Sequence, residues 1–556
     1  MKERFELAIQ AVVADLFNQT VTIELTRPDE QFGDYATNVA LQLAKPLNQN
    51  PRQVAETIAD AIREKLSGST KEVTVAGPGF INLTVADPEL LRALDEPFTQ
   101  TYAGQNIIAE YSDPNPFKPL HAGHLYTTLV GDSIARLIEA GGANLTRLNY
   151  GGDVGLHAAK NMWAICKYFG GETPEKLAEI DPEHRADWLG ERYVEGNTAY
   201  EDDEAAKLEI IEYNKRIYGL HDSGDHASPF ARIYWTCREW SYEYFAKLYE
   251  QLGVKPFNRM IPESEVTPLG LATVKEQLEK GVYTQSDGAV VFKGEPFGLH
   301  TRVFINSQGL PTYETKDVGL LLTKWQDYHF DRSLIITANE QSQYMEVVYK
   351  SIEQFAPEPV SRSQHLTHGV VKLTGGVKMS SRKGNTVQAV DILAAATTAA
   401  QKISDKASYD TVLAAVKYAF IKPRIGGDII YDPLESVSLE GNSGPYLQYA
   451  HARACSILAK AEAETTLTGE LDAAERSLVR KLTEYQEVVN RSVAELLPHH
   501  ICTYLYELAQ DFNRFYEHNR VIGDPRQTVR LALVRQYATV LHGGLTLLGI
   551  PAPTSM

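Results

Sequence analysis

The stretch Asn106-Ile107-Ile108-Ala109-Glu110-Tyr111-Ser112-Asp113-Pro114-Asn115-Pro116-Phe117-Lys118-Pro119-Leu120-His121-Ala122-Gly123-His124 decides the fold. It opens with a short apolar run of the length of a buried strand. Prolines then rule out regular structure, and a helical pattern follows from Leu125 to Ala140. A second run, Leu334-Ile335-Ile336-Thr337, leads in the same way into a helix-like segment from Ser342. Buried strands alternating with helices predict a parallel sheet of the nucleotide-binding kind.

Between these two halves, at about 165–300, an aromatic and acidic helical stretch reads as an insertion, with Glu201-Asp202-Asp203-Glu204 as a solvated face. Upstream, residues 1–98 read as a small α+β unit. Pro46 and Asn50-Pro51 punctuate its helices, and Val73 and Val75 lead through Gly77-Pro78-Gly79 into Phe80-Ile81-Asn82-Leu83. From 396 to 556 the strands give way to amphipathic helices. Ile501, Leu505, Leu508, Phe512 and Phe515 form one buried stripe, and Asp524-Pro525-Arg526-Gln527 reads as the start of the last helix. The expected architecture is therefore α/β, a Rossmann-type catalytic domain over 99–395 with a helical insertion, flanked by the α+β unit and an all-α helix bundle.

No apolar stretch approaches the roughly 18 residues of a membrane span, and the start of the chain lacks the apolar core of a secretory signal, so a cytoplasmic protein is expected. Four scattered cysteines without a Cys-x-x-Cys pair argue against disulfides and against a structural zinc site. A net charge of -18 speaks against a nucleic-acid partner, yet it says little about one basic strip on a large surface.

Two segments carry chemistry. His121 and His124 fall on the first turn of a helix, whose free N–H groups and positive dipole end suit phosphate, and Gly123 lets a ligand approach the backbone. Taken alone, the pair reads equally as capping or packing histidines. Lys378-Met379-Ser380-Ser381-Arg382-Lys383-Gly384-Asn385 combines cations, small hydroxyls and glycine, as in a loop that closes over a phosphate chain. Taken alone, it reads as a solvated basic turn.

Together, in this order and context, the two segments resemble the paired signatures of class I aminoacyl-tRNA synthetases. Five further segments narrow the resemblance to the arginyl-tRNA synthetase family: Glu110-Tyr111-Ser112-Asp113-Pro114-Asn115, Asn149-Tyr150-Gly151-Gly152-Asp153, Tyr313-Glu314-Thr315-Lys316-Asp317, the run Gly441 to Arg453, and the ending Leu547-Leu548-Gly549-Ile550 with Met556. The resemblance covers essentially the whole chain. It implies ligation of L-arginine to tRNA(Arg) with ATP and Mg²⁺, by a protein that is commonly a monomer. It also implies phosphate contacts from His121, His124, Gly123, Lys118, Lys378, Ser380 and Ser381. Glu110 would meet the α-ammonium or guanidinium side of the substrate, with Ser112 nearby and Asn115 at its backbone end, while Tyr313, Asp317 and Gln341 would line the side-chain pocket. A guanidinium is a flat fork of five donors, which calls for carboxylates and amide oxygens in its plane. Tyr446, Tyr449, Arg453 and Met556 would meet the anticodon loop, and Phe80 and Asn82 the tRNA corner. The chain departs from the family pattern at Ser381, where a second loop lysine is common and which Lys118, Arg382 or Lys383 would replace, and at Tyr126, where relatives often carry arginine.

Overall fold

The computed structural model describes residues 1–374, 387–405, 407–461, 467 and 470–556. Its centre is a five-stranded sheet, parallel throughout, in the spatial order Ser363–His368, Arg332–Ala338, Asn106–Glu110, Asn144–Gly151, Arg259–Pro262. The chain leaves Asn106–Glu110 toward one edge of the sheet and later returns beside it as Arg332–Ala338, so the crossover direction reverses between these two neighbours. Loops part at such a switch point, and a crevice opens at the carboxyl ends of the strands.

Helix Ala122–Ala140 packs across one face of the sheet. Leu125, Leu129, Ile134 and Ile138 are buried there in a core continuous with the N-terminal unit and the C-terminal bundle. The other face is closed by helices Glu263–Glu279, Tyr313–Tyr328 and Ser342–Glu353 through Val266, Val318 and Val348. A separate core holds Met162, Trp188, Ile217 and Tyr234 of the helices between residues 156 and 251.

That helical stretch is shorter than the expected 165–300. The chain is back in the main sheet at Arg259–Pro262, and Thr284–Ser286, Ala289–Phe292 and Arg302–Ile305 form a small antiparallel sheet. These strands have three or four residues each, too few for a period-two pattern to stand out. Likewise the expected all-α region contains the strand Ile429–Tyr431, paired in parallel with Val371–Leu373. The last helix begins at Gln527, with Asp524 and Pro525 in the preceding turn, and Gln527 does reach back, to the Gly523 N–H.

The N-terminal unit is a three-stranded antiparallel sheet with helices Lys2–Phe17, Val39–Leu47 and Pro51–Lys65. It is fastened to helix Ala473–Glu495 of the bundle at two points. Arg27 binds Glu487 at 2.6 Å, with the Tyr35 hydroxyl on the same carboxylate at 2.6 Å. Asp34, fully buried, accepts from Arg476 at 2.6 Å and lies 3.5 Å from Arg480. Buried charge is tolerated only when it is paired and hydrogen-bonded in this way.

Candidate active site at the switch point

The strand Asn106–Glu110 ends in a loop in which three non-glycine residues have positive φ: Ser112 (80°), Asp113 (49°) and Phe117 (70°). Each such conformation costs of order 1–3 kcal/mol and persists only where the surroundings over-determine it. Here Asp113 Oδ1 accepts from the Tyr150 N–H at 2.8 Å, and Asn115 Oδ1 from the Gly152 N–H at 2.9 Å. The paired glycines allow this approach, because a Cβ on Gly151 would lie 2.7 Å from the Pro114 carbonyl and one on Gly152 2.6 Å from Asn115 Oδ1. The loop thus delivers His121 to the start of helix Ala122–Ala140.

His121 is the N-cap. Its Nδ1 accepts from the N–H groups of Gly123 (3.0 Å) and His124 (3.3 Å), while its own N–H donates to Nδ1 of His124 at 3.4 Å. The two rings stack with centroids 3.7 Å apart. Since each Nδ1 accepts, each neutral ring carries its proton on Nε2. Burial, with the Lys118 ammonium beside it, pushes His121 down to about 4, and burial with His121 and Lys118 pushes His124 well below the usual range. The site therefore offers two neutral Nε2–H donors. Capping and ligand binding are not rivals here, because they use opposite nitrogens. Gly123 has a local cause: a Cβ there would lie 2.9 Å from Cε1 of the folded-back His121 ring. The Lys118 ammonium lies 4.1 Å from the centre of the Tyr193 ring.

Lys378, Ser380 and Ser381, with Arg382 and Lys383, lie outside the described residues. The chain on the far side of that segment is fixed: the Ala122 N–H donates to the Val387 carbonyl and the Ala389 N–H to the Leu120 carbonyl, both at 2.8 Å, which clamps a bridge between His121 and Gln388. On the near side, His368 Nε2 lies 2.7 Å from the Thr127 hydroxyl, and its ring packs on Tyr126, centroids 4.2 Å apart. Tyr126 is fully buried in this packing.

Beside the histidines the carboxyl ends of the sheet form an acidic slot. Glu110 pairs with Lys324 at 2.7 Å, Glu263 with Lys316, and Glu314 with Arg302 at 3.2 Å. Asp317 has no cationic partner among the described residues and receives only the Tyr344 hydroxyl. Burial, then the carboxylates of Glu110, Glu263 and Glu314, push its carboxyl up to about 7 despite that hydrogen bond. Burial and Glu110 likewise raise Asp113. The Tyr150 hydroxyl is buried in the same place without a hydrogen-bond partner. Surplus negative charge and an orphaned hydroxyl together describe a pocket for a cation with several donors.

Tyr313, 53% exposed, and Asp317 lie one turn apart on helix Tyr313–Tyr328, and Gln341 ends the short turn after Arg332–Ala338. Two of the expected contact residues are buried. Ser112 is buried, with its hydroxyl 2.8 Å from the Tyr249 hydroxyl and accepting from Thr128 at 2.6 Å, so that side chain is used inside the protein. Asn82 is buried in the central strand of the N-terminal sheet, between Ala36 and Thr74, whereas Phe80 at the strand's edge is 42% exposed. On helix Gly444–Ala459, Tyr449 is exposed, Arg453 lies over the Tyr516 ring at 4.7 Å, and Tyr446 is half-buried, accepting from Asn513 at 3.0 Å. Exposed Met556 ends a tail whose Pro551 and Pro553 carbonyls accept from Gln448 (2.8 Å) and His451 (2.9 Å) of that helix. The sequence reading missed Glu263, Tyr344 and Tyr150. A Pro-Glu step after the apolar Met260-Ile261 was the one available sign of the first.

A parallel sheet with a histidine-capped helix at its switch point, and with Val387–Ala389 bonded back to the start of that helix, fits a class I tRNA synthetase. Family models agree over the whole length: residues 90–437 match tRNA synthetases class I (R), catalytic domain, residues 1–85 the arginyl tRNA synthetase N terminal domain, and residues 447–556 the DALR anticodon binding domain. The chain belongs to the arginyl-tRNA synthetase family, and its activity is the ATP-dependent joining of arginine to tRNA. The arginine–tRNA ligase of Flavobacterium psychrophilum is 29% identical over 609 residues, covering 100% of both chains. The arginyl-tRNA synthetase of Thermus thermophilus shares the fold with a TM-score of 0.80 at 24% identity over 100% of both chains. That of Plasmodium falciparum gives 0.80 at 21%, covering 100% of this chain and 99% of the other.

Proposed function

We propose that this chain charges tRNA(Arg) in two steps that share the crevice. An α-carboxylate oxygen of L-arginine attacks the α-phosphorus of ATP, forming arginyl-adenylate as the bond to pyrophosphate breaks. A 3′-terminal ribose hydroxyl of the tRNA then attacks the carbonyl carbon, and AMP leaves. Neither step needs a covalent enzyme intermediate, so the work of the protein is positioning and charge stabilisation.

His121 and His124 donate through Nε2–H to the polyphosphate, at the positive end of a helix dipole. Lys118 adds a full charge there and stands in for the loop lysine that Ser381 replaces. Lys378 contributes a further cation to the phosphates, and Ser380 and Ser381 contribute hydroxyls. ATP enters as its Mg²⁺ complex, in which the cation neutralises phosphate charge. Asp317, with Glu263 behind it, receives the guanidinium, Tyr313 and Gln341 flank the side chain, and Asn115 meets the amino-acid end. Tyr446, Tyr449, Arg453 and Met556 form an anticodon-facing surface suited to stacking and edge contacts, and Phe80 a second tRNA contact. The protein works as a cytoplasmic monomer.

The observation that supports this reading is the histidine-capped start of helix Ala122–Ala140, to which Val387–Ala389 is bonded through Leu120 and Ala122. The test is charging of purified tRNA(Arg) with labelled arginine, lysine or citrulline by wild type and Lys378→Ala. Arginine alone should be joined, and the variant should be slower by two or more orders of magnitude. Efficient charging with lysine, or full activity in the variant, overturns the reading.

A further inference from the structure

Three of the five acids at the slot, Glu110, Glu263 and Glu314, are neutralised from within, and by different elements. Glu110 on strand Asn106–Glu110 is held by Lys324, Glu263 at the start of helix Glu263–Glu279 by Lys316, and Glu314 by Arg302 of strand Arg302–Ile305. Neither of the other two has a cationic partner among the described residues: Asp113 accepts from the Tyr150 backbone N–H, and Asp317 accepts from the neutral hydroxyl of Tyr344. Tyr344 stands near the start of helix Ser342–Glu353, one turn beyond Gln341, so the strand end Arg332–Ala338 sets both side chains. Its ring is fixed in turn, with the Arg302 guanidinium 5.2 Å from its centre.

A lysine in place of Tyr344 would neutralise Asp317 and leave it no free charge for a substrate. An apolar residue would leave the carboxylate without a donor, and a buried carboxylate lacking donors takes up a proton. A phenol does neither, because it donates one hydrogen bond to the ionised form and carries no charge of its own. We propose that Tyr344 is the positioning residue that reserves Asp317 for the guanidinium of the substrate, orienting the carboxylate and supporting its charge without supplying a counter-charge. The inference rests on the reading of Asp317 as the guanidinium partner.

The other groups facing Asp317 are the paired Glu110, Glu263 and Glu314 with their cations, Asp113, and the phenols of Tyr150 and Tyr349; burial raises Asp113, Glu263 and both phenols. The guanidinium itself stays charged throughout. In wild type, 1/KM for arginine should therefore fall as pH drops through about 7, where Asp317 takes up its proton.

The experiment measures arginine KM, ATP KM and kcat for charging from pH 6 to 8.5 in wild type, Tyr344→Phe and Asp317→Asn, with thermal unfolding of each preparation. Removing the hydroxyl should move the acid limb of 1/KM upward by about one pH unit. Near pH 7 this is a drop in ionised Asp317 from about one half to about one tenth, a roughly fivefold rise in arginine KM, with kcat and ATP KM nearly unchanged. Asp317→Asn should lose the limb altogether and raise arginine KM at every pH. A limb in Tyr344→Phe at the wild-type position, with Asp317→Asn behaving as expected, overturns the role of Tyr344 alone. An unchanged arginine KM in Asp317→Asn overturns the pocket reading and this inference with it. A variant that still saturates with ATP as wild type does is folded at the site, so a shifted limb is not a folding defect.

Discussion

Glu110 and Lys324 provide the sharpest test of the site's internal electrostatics. Their side chains are 3% and 1% exposed, with Nζ 2.7 Å from Oε2. Two desolvated charges of this kind are close to neutral as a pair, but removing one partner leaves the other buried and unpaired at a cost of about 3–5 kcal/mol. Against a total stability of roughly 5–15 kcal/mol for a domain, either Glu110→Gln or Lys324→Met should shift the unfolding midpoint in denaturant by a large fraction of its value. The double variant should recover most of the loss, because no ion is stranded. The assay is equilibrium unfolding of all four proteins by near-ultraviolet dichroism, together with arginine KM for each of them. A Glu110→Gln protein that unfolds at the wild-type midpoint while losing arginine saturation would refute the argument, since Lys324 would then not hold the carboxylate and Glu110 would be a free ligand of the substrate. Recovery of stability together with arginine use in the double variant would show that the pair shapes the slot without touching the substrate.

Further outcomes are expected at other positions. His121→Asn keeps a side-chain acceptor at the N-cap but removes the Nε2–H donor, so the melting temperature should hold while kcat falls about 10²–10³-fold; His121→Ala should cost about 0.5–2 kcal/mol of stability as well. Asp317 carries its carboxyl from the ordinary value of 3.8 to about 7 on folding, so the folded state binds the proton more tightly and stability is lost as pH rises across that interval, in full above pH 7. Asp317→Asn should accordingly stabilise the free enzyme, by at most about 4 kcal/mol, and more at pH 8 than at pH 5 in paired unfolding curves. Phe80→Ala should raise KM for tRNA without moving the unfolding transition, whereas Asn82→Ala should lower the transition and leave tRNA KM alone, as measured by charging kinetics and thermal melts.

The central strand and the histidine helix were legible because their signals are local. Five consecutive residues make the strand at Asn106, prolines end it, and His121 stands at the first turn of a helix whose apolar residues repeat over several turns. Short strands such as Arg259–Pro262 and Ile429–Tyr431 have no such repeat and are created by their neighbours, which is why the insertion was drawn too long and the bundle too uniformly helical. The character of the slot was legible only in part. Asp317 stood out within Tyr313 to Asp317, but its missing counter-ion depends on lysines pairing elsewhere and on a tyrosine from another helix. Ser112 and Asn82 show the converse, since each sits in a promising motif while its burial depends on chain distant in sequence: the Ser112 hydroxyl meets Tyr249 and Thr128, and Asn82 lies in the central strand of the N-terminal sheet.

The ties of Arg27 to Glu487 and of Asp34 to Arg476 and Arg480 have a mechanical consequence. If the two surfaces proposed above meet one tRNA, these ion pairs at their root would hold them as the fixed jaws of a caliper rather than as hinged fingers. Such an instrument would discriminate by span: an RNA whose arms are set at the wrong distance would meet one jaw and miss the other, whatever its bases.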